Sequence, residues 1–280
     1  MIVYLDTNVF DHLERRSSGV TEEDLFRFGR AVKLDHLRVV ISFLAIEETL
    51  LFIPSNPQRA DARVKLMLDL GDKRLFALGQ EEIMNHDIQA YAHGTSVLSP
   101  FMMMDPRTEF HIRNYSKPAG GYLTDLQDLI EDVRRDKMAF QSFLEKGKKK
   151  LKPMADAIGV KQYPFESYLV NNSWWLAESL AERAGVLPEA KQRGIDGLLK
   201  VKSIGVAVGA GLSLIYSHDF EGRAPKPGDS RDLLHAVVAS TAEVFVTNDE
   251  SLETILTRIP VDGFKVMSLR TFMKSLPAWI

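Results

Sequence analysis

Four carboxylates stand where they could do chemistry together. Asp6 directly follows a short apolar run, in LDTN. Glu47 lies in ISFLAIEETL, Asp232 in GDSRDLLHAVVA, and Asp249 in VFVTNDESL. Carboxylates are hard oxygen ligands, and a cluster of them suits Mg2+ or Mn2+. An ion held this way can bind a phosphodiester, lower the pKa of a water and steady the leaving oxygen, so no protein nucleophile is needed. Without a metal the same acids would repel a phosphate backbone.

The residues around them leave alternatives. Glu48 neighbours Glu47 and points about 100° away on a helix. With Phe43, Ile46 and Leu50 taken as the buried stripe, Glu47 lies beside it and is preferred. Asp229 precedes the helix that carries Asp232 and reads as its cap. His235 shares a helix face with Asp232 at i+3 and is read as a satisfied, half-buried histidine. Each acid also has a structural reading: Asp6 as a turn residue, Asp232 as a favourable charge in a first helical turn, Asp249 as an N-cap.

Periodicity supplies the elements that must bring these groups together. Met1 to Leu5 reads as a buried strand, Arg38 to Ile41 as a second and Leu75 to Leu78 as a third, each followed by helical patterns. Thr21 starts a helix with a capping-box pattern. From Gly94 to about Gly228 no strand is expected. Long helices are expected over Leu123 to Lys150, Phe165 to Ala184 and Asp196 to Tyr216. The chain then returns to strands at Val244 to Thr247 and Phe264 to Met267, between helices at Ser230 to Ala242, Glu250 to Thr257 and Leu269 to Ser275. Strands alternating with helices predict an α/β fold with a central parallel sheet. In such a sheet Asp6 and Asp249 fall beyond strand carboxyl ends, where functional crevices lie.

These segments resemble the PIN-domain family of metal-dependent nucleases. The resemblance rests on LDTN, on the serine-to-glutamate spacing of ISFLAIE, and on DLLHAVVASTAEVFVTNDESL. It implies a three-layer α/β/α core over 1–93 and 228–280, interrupted by a mostly helical insertion over 94–227. It implies Asp6, Glu47, Asp232 and Asp249 as the catalytic metal-binding set, with Asn8 and Thr247 in support; beside it, Asp229 reads as a peripheral helper, and His235 could act on the substrate or a metal-bound water. The implied activity is endoribonuclease hydrolysis of RNA with Mg2+ or Mn2+, in a toxin-type or defence setting. That setting leaves room for an inhibitory protein partner and for a homodimer. A DNA or structure-specific nuclease, and a non-catalytic RNA-binding module on the same fold, remain as alternatives.

Composition narrows the field further. There is no cysteine among the 280 residues, which removes disulfides, thiol nucleophiles and zinc–thiolate sites. Net charge is −3, so any contact with nucleic acid must come from local patches. Lys146, Lys148, Lys149, Lys150 and Lys152 form one such patch and are candidates for nucleic-acid binding. The N-terminus lacks a basic leader and a long apolar core, and the run SIGVAVGAGLSLIYS is too short to span a bilayer. A cytoplasmic protein with no membrane contact is expected, and that run should be a buried helix in which Gly205, Gly209 and Gly211 permit close approach. A dehalogenase-type phosphotransferase is disfavoured because position 8 is Asn. No GxxxxGK[ST] loop is present. Ser230 and His235 share one helix and make no triad.

Overall fold

The computed structural model describes residues 1–17, 19–114, 127–142, 145 and 164–276. The lysines from Lys146 to Lys152 lie outside the described residues.

The first half runs β1 (Ile2–Leu5), α1 (Thr7–Arg15), α2 (Glu22–Lys33), β2 (Arg38–Ser42), α3 (Phe43–Leu50), α4 (Pro57–Leu70), β3 (Gly71–Ala77), α5 (Gln80–His93), β4 (Phe101–Met102) and α6 (Pro106–Asn114). A further helix, α7, covers 127–142. There follow α8 (Phe165–Arg183), α9 (Leu187–Arg193), α10 (Ile195–Leu198), α11 (Lys202–Asp219), α12 (Asp229–Ala239), β5 (Val244–Thr247), α13 (Glu250–Thr257), β6 (Lys265–Ser268) and α14 (Leu269–Ser275).

Among the described residues the strands form one six-stranded sheet in the order β4-β3-β2-β1-β5-β6. All neighbours are parallel except β4, which pairs antiparallel with β3. The central strands are short and apolar on both faces, as a sheet covered on both sides requires. Val3, Leu5, Val39, Ile41, Val244 and Val246 face one layer, which includes Val9 and Phe10 of α1, Val64 of α4 and Phe272 of α14. Tyr4, Val40, Leu75 and Phe245 face the other, which includes Ile83 of α5, Val206 and Ala210 of α11, Ala236 of α12 and Leu252 of α13. A third apolar cluster joins α8, α9 and α10 to the outer sides of α5 and α11.

One feature departs from the expected organisation. β4 lies at 101–102, inside the block expected to hold no strand. It is two residues long, too short for any period to reveal. Elements within 94–227 also pack against the sheet and its covering layers. β4 extends the core sheet, and α11 packs against α12 and α13 in the layer covering it. Buried α11 residues on several sides explain why its sequence is apolar all round. Among the described residues, no helix is long and apolar enough to cross a membrane.

The glycines of α11 divide by function. A Cβ at Gly209 would press into Ile259, and one at Gly205 would meet the Leu199 carbonyl oxygen at 2.6 Å. At Gly211 the nearest atom is 3.8 Å away, an ordinary contact. Gly209→Ala should therefore cost about 1–3 kcal/mol by overpacking. Gly211→Ala should be neutral or stabilising by up to about 1 kcal/mol, through helix propensity. Chemical denaturation of the two variants checks the contrast.

Candidate metal centre

The chain leaves β1 toward β2 and β3 on one side, and later fills β5 and β6 on the other. The strand order thus reverses between β1 and β5, and a crevice opens at their carboxyl ends. Asp6 follows β1 at this point. It N-caps α1, its Oδ1 accepting the Thr7 amide at 2.7 Å. Its Oδ2 accepts from Asn8 Nδ2 at 2.7 Å and from the Thr247 hydroxyl at 2.8 Å. Asn8 Oδ1 in turn accepts the Asn248 amide at 3.0 Å, tying β1 to the end of β5. Asn8 and Thr247 thus hold Asp6 in one orientation.

Glu48, not Glu47, is brought to Asp6. Glu48 Oε2 accepts from the Thr7 hydroxyl at 2.7 Å and lies 3.0 Å from His235 Nε2. Glu47 points elsewhere and pairs with Arg231 at 2.8 Å, in a smaller concavity beside Ser42 and Gln80. The reason is the phase of α3. The apolar pattern places Phe43 in the buried stripe, but it is exposed, and the buried residues are Leu44, Ala45, Ile46, Thr49 and Leu50. Shifting the stripe moves the inward-facing glutamate from 47 to 48.

His235 is fully buried rather than half-buried. Its Nδ1 lies 2.5 Å from the Tyr4 hydroxyl. Burial pushes the Tyr4 phenol well up, so it stays protonated at neutral pH. With a carboxylate at Nε2, that nitrogen must carry the proton and donate to Glu48. Burial works to lower the His235 pKa, but the charge and hydrogen bond of Glu48, with Asp6 and Asp232, raise it overall. The reciprocal holds for Glu48. Burial would raise it, but the His235 charge and hydrogen bond, Thr7 and Arg231 outweigh this and take it down to about 2.

Asp6, Glu48 and His235 form a buried cluster that could hold a metal ion, with one ligand atom from each lying within 4.8 Å of the others. Asp232 lines the same cleft, together with Thr7, Asn8, Asp11, Arg15, Arg59, Arg63 and Lys137, around a volume of about 440 Å³. Among the described residues the Asp232 carboxylate takes no hydrogen bond. Its pKa is pushed up to about 7, first by burial and then by the charge of Asp6, against His235 and with Asp249 and Asp229. Burial also raises Asp6. Acids crowded this way repel one another, and a divalent cation relieves that repulsion.

The remaining expected ligands have other duties. Asp249 N-caps α13, its Oδ1 accepting from Ser251 and Leu252 at 2.8 and 3.0 Å. It is absent from the three-residue cluster and from the cleft wall, and reaches Asp232 only through its charge. Asp229 is the first residue of α12, and makes no cap bond. It is completely buried in a two-pronged pair with Arg223 at 2.6 and 2.9 Å, and accepts the Lys226 amide at 2.7 Å. Reading the sequence missed Thr7, Tyr4 and the arginines of the cleft. Arg59 and Arg63 are four apart on α4, a spacing that puts both on one face. That spacing was a usable signal. No family model, curated protein or solved structure matches the chain.

Proposed function

We propose that this chain is a PIN-like metal-dependent nuclease, acting as an endoribonuclease with Mg2+ or Mn2+. The observation that carries the reading is the cluster of Asp6, Glu48 and His235 at the carboxyl ends of parallel strands, with Asp232 lining the same cleft and accepting no hydrogen bond among the described residues. Asp6, Glu48 and Asp232 are the residues that would hold the ion. The chemistry it supplies when bound is Lewis-acid activation of water and neutralisation of phosphodiester charge. His235 keeps its proton on Nε2 and orients Glu48, as a metal-site partner does. Thr7 fixes the same oxygen of Glu48. Asn8 and Thr247 fix Asp6, and Asp249 and Asp229 add negative charge behind Asp232. The three-layer core and the nuclease resemblance of its termini support the same reading. A toxin or defence role, and an inhibitory partner, follow from the resemblance alone.

The test is cleavage of matched RNA and DNA by purified protein with Mn2+. RNA cleavage that EDTA abolishes, and that Asp6→Asn lowers by roughly 100-fold or more, is expected. Cleavage of DNA alone moves the substrate assignment. Cleavage of neither, with nucleic acid still bound, favours a binding module.

A further inference from the structure

The cleft has a second wall whose chemistry is opposite to that of the carboxylates. Asp11 on α1 receives three guanidinium groups: Arg15 at 3.2 Å, and Arg59 and Arg63 by close contacts. Arg59 also pairs with Glu14 at 3.4 Å. Three guanidiniums therefore share two carboxylates, and Lys137 from α7 brings another cation to the same cleft. Arg63 is almost wholly buried, with its side chain 5% exposed, and its Nε has no hydrogen-bond partner. Burial lowers its pKa, and the neighbouring Arg59 adds to that against Asp11. Asp11 therefore receives more cations than it balances, one of them buried and two partly exposed, and an anion completes the set. Phe52 lies under the Arg63 guanidinium, 5.0 Å from it, and is about half exposed in the cleft.

We propose that Arg15, Arg59, Arg63 and Lys137 form a subsite for a phosphate flanking the reactive one on a single-stranded nucleic acid, with Phe52 stacking an adjacent unpaired base. The subsite rests on the nuclease reading, because the wall shares its cleft with Asp6 and Asp232. Guanidiniums suit phosphate because their planar N–H groups match its oxygens. A single strand is specified because Phe52 can offer a ring face only to a base released from pairing. The position is also electrostatically sensible. A backbone phosphate is attracted to this wall, while the carboxylate end of the cleft repels it in the absence of a metal.

The experiment is equilibrium binding of a short fluorescein-labelled single-stranded RNA in EDTA across a salt series, where binding is read apart from metal-dependent cleavage. The proteins are the parent, Arg15→Gln, Arg59→Gln and Phe52→Ala, each checked for an unchanged thermal midpoint. Arg15 is half exposed, so its variant folds even if loss of Arg59 proves disruptive. Each arginine variant should weaken binding by about tenfold and lower the slope of log affinity against log salt by about one. Phe52→Ala should weaken binding by about tenfold with the slope unchanged. The same RNA as a duplex should bind less tightly than the single strand. Equal affinity and slope in the parent and all variants overturns the subsite, as does a parent that binds no RNA even at low salt. Failure of the nuclease reading looks different: binding that depends on the arginines, with no cleavage by the parent in Mn2+.

Discussion

Glu48→Gln is expected to lower Mn2+-dependent cleavage by about 100-fold or more, while Glu47→Gln leaves it within a few-fold of the parent. The two positions are adjacent, so the contrast isolates geometry from composition. Gln at 48 keeps an oxygen for Thr7 and His235 but removes the charge that a hard cation needs. It also leaves His235 without its acidic partner, and this removes the largest cause of the histidine's raised pKa. A group whose folded pKa is raised contributes stability below its unfolded value, near 6.5, and loses it as pH rises through the folded value. Glu48→Gln should therefore be most destabilised at mildly acidic pH. Glu47 instead faces Arg231, which is 9% exposed. Its variant is expected to lose stability by leaving a buried guanidinium unpaired, without losing metal affinity. Cleavage rates and thermal midpoints, measured on both variants, check the pair. Equal loss of activity in the two would place both glutamates, or neither, at the centre.

The second large effect concerns Asp232 in metal-free protein. Its folded pKa, near 7, lies above the ordinary value of 3.8. An acid raised in this way costs no stability below the ordinary value. The cost grows as pH rises between the two values and is complete above the folded one. Asp232→Asn removes that cost. In EDTA the variant should be more stable than the parent at pH 8, by an amount on the order of 3 kcal/mol after allowance for the side chain's partial exposure. Near pH 4 the two should be alike. Added Mn2+ should reverse the order at pH 8, because it stabilises the parent by mass action and finds one ligand fewer in the variant. Urea melts at the two pH values, with and without Mn2+, give the result. A constant difference across pH would mean that Asp232 is ordinarily ionised and already compensated.

Much of this architecture is legible from local pattern. The runs of β1, β2 and β5 are apolar enough to be read as buried strands; Asp6 follows β1 directly and Asp249 follows β5 after Asn248. The cap reading of Asp249 was available because a cap depends only on its own neighbours. Glu48 was lost through a single exposed residue. Phe43 was counted as core for its type, whereas burial depends on what faces it, and the helix phase moved with it. The arginine wall is harder still. Asp11 meets Arg59 and Arg63 only because α1 packs on α4, and nothing in either segment alone states that pairing. The same limit holds for α11, which reads as a buried helix although its sequence does not say which layer buries it.

The central claim is that one pocket of carboxylates, at the switch between β1 and β5, binds a divalent cation. Crystals soaked in Mn2+ and measured at a wavelength sensitive to manganese test it directly. An anomalous peak bounded by Asp6, Glu48 and Asp232, lost in Asp6→Asn crystals, is expected. A peak placed instead between Glu47 and Arg231 or at Asp249, or none at saturating Mn2+, would contradict it.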